Sequence, residues 1–190
     1  MRFVFYLLMM IAVALSVGFG LSYYALTDGR LFGVAQVGPW HAWPDVGASA
    51  PNPYTRGHLA RTAAFELGQA EGLQFTATVD SDGQALTRDC AYRIDGRTPL
   101  ATFWTLVALD EAGINVAAPD TSPAIRSGNI ARADDGSILV NVGTRLQPRT
   151  WLELTGTGPF RLVLTLYDTA AFSGFSSDAS MPSIIRGDCA

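Results

Sequence analysis

The sequence predicts a mainly β domain, an antiparallel sandwich preceded by one α-helix and carried on an N-terminal transmembrane helix. Three observations lead there. Residues 3–26 (FVFYLLMMIAVALSVGFGLSYYAL) contain no charged side chain. Beyond residue 72, short segments of period two recur between Asp-Gly and Gly-rich turns. Only one segment between them, opening at Asn52-Pro53, carries helix start and stop signals.

The first stretch is long enough to cross a bilayer. Twenty-four residues at about 1.5 Å each make a helix of roughly 36 Å, against a hydrocarbon core of about 30 Å. A helix satisfies its own backbone in lipid, so a single inserted helix is expected. The competing reading is a cleaved signal peptide. The apolar run continues past both small-residue sites, Ser16-Val-Gly18 and Gly18-Phe-Gly20, which favours an uncleaved anchor. Arg2 with the α-amine, set against Arg30, gives a small positive-inside bias toward an exported C-terminal part. Tyr23 and Tyr24 fit an aromatic belt at the outer interface. Ala12, Ser16 and Gly20 form a small-residue stripe of the kind that brings membrane helices together.

The division expected is therefore 1–27 as anchor, 28–51 as linker and lead-in, and 52–190 as β-sandwich domain. The expected location is the cytoplasmic membrane, single-pass, with the domain on the extracytoplasmic side. Composition narrows the chemistry. The net charge of −4 offers no basic surplus for nucleic acid. All 13 basic residues are Arg. Without lysine, a Schiff base, a phosphate-loop lysine and a Ser–Lys dyad are impossible.

Residues 28–51 hold four Gly and three Pro with no sustained period, and Pro53 follows. Within them, Gly38-Pro-Trp-His-Ala-Trp-Pro44 places two tryptophans where they either meet lipid or pin the loop to a core; packing is the expectation. Asn52 then caps a helix with Pro53 at its first position, Leu59, Ala63 and Leu67 recurring on one face before Gly68. From Leu73 to Asp80 an apolar set (Leu73, Phe75, Ala77, Val79) alternates with a polar one (Gln74, Thr76, Thr78, Asp80). Asp82-Gly83 marks a turn. Strands follow at 91–94, at 103–109 (apolar on both faces and so expected mid-sheet, covered on both sides) and at 137–142. Residues 151–154 and 161–168, split by Thr155-Gly-Thr-Gly-Pro159, read as a hairpin. Residues 112–132 are a long unpatterned excursion, and 181–186 a short edge strand.

This order of pieces resembles a known family. Asn52-Pro-Tyr-Thr-Arg56, the strand ending at Asp80, Phe103-Trp104 leading a strand to Asp110, Asp135-Gly136, and Trp151-Leu152 with Leu166-Tyr167-Asp168 are together similar to the domain of unknown function 1214, over residues 52–186. In that family the domain often follows one of the 1254 type; here a membrane anchor stands in its place. The resemblance implies a β-sandwich of jelly-roll type and no established activity, so no catalytic residue carries over. Thr150 and Glu153, where the family pattern leads one to expect Asn and Pro, depart from it.

The residues themselves offer little chemistry. His41, His58, Cys90 and Cys189 have no zinc-type spacing, so neither metal nor cofactor is expected. Asp80-Ser-Asp82-Gly83 resembles the start of a calcium loop, but Ala91 stands where the twelfth-position acid belongs. No G-x-S-x-G elbow occurs, which leaves His58 as the one plausible base. Asp110-Glu111 and Asp134-Asp135 sit at strand ends and turns. Trp104 with Arg56 or Arg61 could line a cleft for a sugar or an anionic lipid; otherwise Trp104 is core and the arginines surface. In an oxidising compartment Cys90 and Cys189 are expected to pair, closing a loop worth up to roughly 4.7 kcal/mol in the chain-entropy model. Two functions follow as expectations. The first is a non-catalytic envelope module binding a glycan, lipid or protein; the alternative is a hydrolase or lyase acting on envelope carbohydrate.

Overall fold

The computed structural model describes residues 2–27, 34–62, 67–68, 70–169 and 180–189. In chain order it contains α1 (Arg2–Thr27), β1 (Ala35–Val37), β2 (Trp40–Ala42), α2 (Pro53–Thr62), β3 (Gly72–Ala77), β4 (Cys90–Gly96), β5 (Ala101–Leu109), β6 (Ile125–Arg126), a 3-10 turn (Ser127–Asn129), β7 (Ile138–Gly143), β8 (Trp151–Glu153), β9 (Arg161–Thr169) and β10 (Ser183–Cys189). α1 is long and apolar enough to cross a membrane over Arg2–Ala25.

The strands form two sheets, one six-stranded (β1-β2-β3-β9-β5-β6) and one four-stranded (β10-β4-β7-β8). Every pairing is antiparallel except β7 with β8, which is parallel, so the smaller sheet is mixed. One core lies between them. The large sheet contributes Phe75, Trp104, Leu106, Leu162, Leu164 and Leu166; the small one contributes Tyr92, Ile94, Val140, Val142, Leu152 and Ile184. Each such side chain, fully buried, is worth roughly 1.5–3 kcal/mol of transfer energy. The alternation read from Leu73 to Asp80 holds through Ala77: Leu73, Phe75 and Ala77 are buried while Gln74 and Thr76 are half-buried on the other face; beyond the strand it ends, Val79 being half-buried and Asp80 buried.

The lead-in at 28–51 is more than a linker. β1 and β2 extend the large sheet from its β3 edge through His41 opposite Thr76. Trp40 is fully buried, its indole N–H donating to the Pro182 carbonyl at 2.7 Å. Aromatic burial drives this segment into the sheet despite its glycines and prolines. Asn52 caps α2 as expected, its Oδ1 accepting the Tyr54 N–H at 2.7 Å. The helix face agrees with expectation only in part. Thr55 is the one buried residue of α2, whereas Leu59 is half-buried and Ala60 exposed. Ala63 and Ala64 lie outside the described residues.

The expected hairpin of residues 151–154 with 161–168 does not form. β8 pairs with β7 in the small sheet and β9 lies between β3 and β5 in the large one. Residues 155–159 cross between the sheets, with Gly156 and Gly158 at positive φ beside the Arg88 side chain. β5 sits between β9 and β6, one position from the edge, and its second face is only partly covered. Trp104, Leu106 and Ala108 are buried, but Phe103 is 37% exposed and meets Tyr167 at 5.7 Å between ring centroids.

β10 forms the outer edge of the small sheet and is fixed at both ends. Cys189 is joined to Cys90 of β4 by a disulfide. At the other end, the Ser81 N–H donates to the Ile184 carbonyl at 2.9 Å, and the Ser81 hydroxyl accepts the Ile184 N–H at 2.9 Å.

Candidate functional site

A cleft of about 650 Å³ opens between α2 and the outer face of the large sheet. Its floor follows from strand alternation. Once Phe75 and Ala77 enter the core, Gln74 and Thr76 must face away from it, and β2 adds His41 beside Thr76. Thr78 and Arg161 continue the row where the strands end. The roof comes from α2, whose His58 and Thr62 lie four residues apart on one side and whose Arg61 is beside them. Trp43, 6% exposed, stacks on the His58 imidazole with centroids 4.5 Å apart and planes at 20°. That stack ties the helix to the lead-in and fixes the His58 ring.

The third wall is the turn after β5. Asp110 Oδ1 accepts the Ile114 N–H at 2.8 Å, and the Asp110 carbonyl accepts the Gly113 N–H at 3.1 Å. Gly113 has φ +82, and a Cβ there would come within 3.3 Å of the Arg161 guanidinium. Of the pair Asp110-Glu111, the first is thus consumed by the turn, and Glu111 is delivered to the cleft wall. Among the described residues the lining therefore sets two guanidinium groups and two imidazoles beside one carboxylate, in a chain whose net charge is −4. Low-dielectric walls would focus that local positive field.

Both histidines of the chain lie in this cleft, although they are 17 residues apart in sequence and neither neighbours the other on an element. Of the residues singled out from sequence, His58 and Arg61 are in the cleft. Arg56 is exposed on α2 and does not line it. Trp104 points the other way, into the core at 1% exposure, so it and the arginines do not share a surface. Its indole Nε1 is a buried atom without a hydrogen-bond partner among the described residues. Sequence reasoning weighed His41 and Glu111 but gave them no binding role, and it did not single out Trp43, Gln74 or Arg161 for the site. The usable signals were the polar half of the β3 alternation and the Trp-His-Ala-Trp cluster.

Two further acids are engaged in structure. Asp80 is 2% exposed and pairs with Arg186. Asp135 accepts from both the N–H and the hydroxyl of Ser137 at 3.0 and 2.7 Å, which with Arg97 nearby holds its exposed carboxyl below the ordinary value. Among the described residues no group of three or more His, Cys, Asp or Glu is placed to hold a metal ion. A second cleft of about 300 Å³ lies beside the disulfide. There Arg93 and Arg145 face Asp89 and Asp188, and Arg186 is committed to Asp80, so its charges largely cancel.

Fold and cleft together define a two-sheet β domain with a polar, cation-lined groove on one outer face, preceded by an apolar helix. The chain belongs to the DUF1214 family, described as proteins of unknown function, whose profile matches residues 71–171. No curated protein matches it. Among solved structures it is similar to the VPA0106 protein from Vibrio parahaemolyticus, at 17% identity and a TM-score of 0.59, over 74% of this chain and 36% of that one. A second similar structure is an uncharacterized protein from Burkholderia cenocepacia, at 14% identity and a TM-score of 0.46, over 88% of this chain and 39% of that one. The chain thus spans little more than a third of the length of the structures it matches.

Proposed function

We propose that the protein is a non-catalytic binding module of the bacterial envelope, held by α1 in the cytoplasmic membrane with its jelly-roll-type sandwich on the periplasmic side. The domain then comprises residues 52–190 together with the two lead-in strands. Its ligand is an anionic, hydroxyl-bearing molecule that occupies the cleft under α2. The observation that carries this reading is the cleft's lining, in which Arg61, Arg161, His41, His58 and Glu111 are gathered, among the described residues, above a floor of Gln74, Thr76 and Thr78. Guanidinium forks fit carboxylate and phosphate, while amide and hydroxyl groups fit sugar or glycerol hydroxyls. The volume is that of an ordinary small-ligand site.

A second reading, a hydrolase or lyase acting on envelope carbohydrate, draws on the presence of Glu111 in the same cleft as both histidines. An acid and an imidazole in one groove are the minimum for general acid–base work. Binding is preferred because general catalysis needs groups tuned and aligned on a reacting atom, and Glu111 is exposed.

Photocrosslinking separates these readings from a merely structural cleft. A photoreactive residue replaces Thr62 at the cleft mouth, or Leu146 as a remote exposed control, in the full chain in its own membrane. The expected result is an anionic adduct at position 62 that is absent at 146 and lost when Arg161→Gln is added. Equal adducts at both positions would overturn the assignment of the cleft.

A further inference from the structure

The position of the cleft relative to α1 narrows the ligand. α1 touches α2, and Ala25, near its C-terminal end, is the one buried residue among those whose burial is described in that helix. α2 has 10 residues and therefore a length of only about 15 Å. The apolar helix thus meets the domain at the same short helix that carries His58 and Arg61. We propose that the cleft is a headgroup site, taking the phosphate-bearing headgroup of an anionic lipid from the membrane that α1 crosses.

The chemistry supports a phosphodiester with free hydroxyls. Arg61 and Arg161 supply paired N–H donors, His41 and His58 supply ring donors, and Gln74 and Thr78 supply partners for glycerol hydroxyls. The same groups would accept a free glycerol phosphate. The lipid is favoured because an anchored cleft next to the bilayer meets headgroups at high effective concentration, which offsets a weak intrinsic affinity. This proposal rests on the anchored, anion-binding reading given above.

The two histidines make the test direct, since a histidine-labelled full chain gives two imidazole signals and both report the cleft. The full chain is placed in nanodiscs of phosphatidylcholine alone or with 30% phosphatidylglycerol, at about pH 8, above the ordinary histidine range. Soluble glycerol 1-phosphate is titrated into the phosphatidylcholine discs as a separate arm. The expected result is that phosphatidylglycerol moves both signals, and that Arg61→Gln or Arg161→Gln reduces the movement several-fold. Arg61 is exposed, so its replacement should leave the fold intact, checked by the unchanged positions of the tryptophan indole signals. Movement that survives both substitutions would reflect the membrane's surface potential alone and would overturn the proposal. Movement with glycerol phosphate but not with phosphatidylglycerol would overturn the lipid assignment and leave the anion-binding reading standing. No movement in any arm would remove both.

Discussion

Arg186 on β10 donates through Nε to Asp80 Oδ2 at 2.8 Å, joining two residues 106 apart in sequence. The Asp80 side chain is 1% exposed and that of Arg186 26%. The other carboxylate oxygen accepts the backbone N–H groups of Asp82 and Gln84 at 3.1 and 2.8 Å. Arg186 further donates to the Ala85 carbonyl and lies 5.5 Å over the Tyr92 ring. One carboxylate thus shapes the first turn and anchors the last strand to it.

Removing one partner of such a pair leaves a buried group without compensation. Asp80→Ala is expected to cost about 2–4 kcal/mol, through the lost pair and two unmatched N–H groups. Urea unfolding of the full chain in mild detergent measures this. A loss below about 0.5 kcal/mol would show the pair to be incidental.

The pair also sets an acid limit. Burial pushes the Asp80 carboxyl up, but the Gln84 N–H, the hydrogen bond and charge of Arg186, and the Asp82 N–H outweigh it and hold the group below its ordinary value. A depressed folded-state value means the stabilisation is fully present above the unfolded value, about 3.9. It is lost as pH falls through the folded value. Stability should therefore drop below about pH 4, and Asp80→Asn should flatten that drop. A wild-type acid profile identical to that of Asp80→Asn would contradict this origin.

The disulfide secures the same strand. Cys90 and Cys189 are 99 residues apart, and removing a bridge of this span typically costs 2–5 kcal/mol. Cys90→Ser with Cys189→Ser is expected to fall in that range and to speed amide exchange first in β10, an edge strand paired to β4. Exchange that accelerates uniformly over both sheets would argue against local release of the strand.

Gly72 is needed for a different reason. A Cβ there would collide with the Leu166 carbonyl oxygen and with the Leu67 side chain. The carbonyl belongs to the paired strand β9, so it cannot move aside cheaply. Gly72→Ala should cost more than about 2 kcal/mol, read from the same urea curves. Unchanged stability would show that β3 can shift on β9.

How far the sequence speaks depends on the range of the interaction. The Asn52 cap, the alternation from Leu73 to Ala77 and the tight turn at Asp82-Gly83 are set by neighbours in the chain, and they read correctly, whereas Asp80, read as an outward polar position, is buried by its pairing with Arg186. The sheet assignment of β8 and β9 did not. Leu152 and Leu154 face the same core as Leu162, Leu164 and Leu166, and period two reports only which face is buried, not which sheet holds the strand. The face of α2 read only in part: Leu59 is half-buried and Leu67 lies against Gly72 of β3, while Ala63 lies outside the described residues, and the fully buried position is Thr55 instead of an apolar residue. The cleft is tertiary throughout. His41, His58, Glu111 and Arg161 meet only after β2, α2, the turn after β5, and β9 are assembled. Trp104 illustrates the converse, a residue rich in chemistry that packing at 1% exposure turns to the core.

The central claim, an anion-binding cleft that does not turn over its ligand, is tested most directly by calorimetry on the full chain. Glycerol 1-phosphate and a galacturonate trisaccharide serve as anionic probes, with glycerol and a neutral glucose trisaccharide as controls. At least one anionic probe should bind, and binding should weaken about tenfold or more in Arg61→Gln with Arg161→Gln, about 1.4 kcal/mol or more, with the probe recovered unchanged. Equal binding of charged and neutral probes, or a double variant that binds like the wild type, would contradict the claim; conversion of the trisaccharide that is abolished by His58→Ala would make the protein an enzyme.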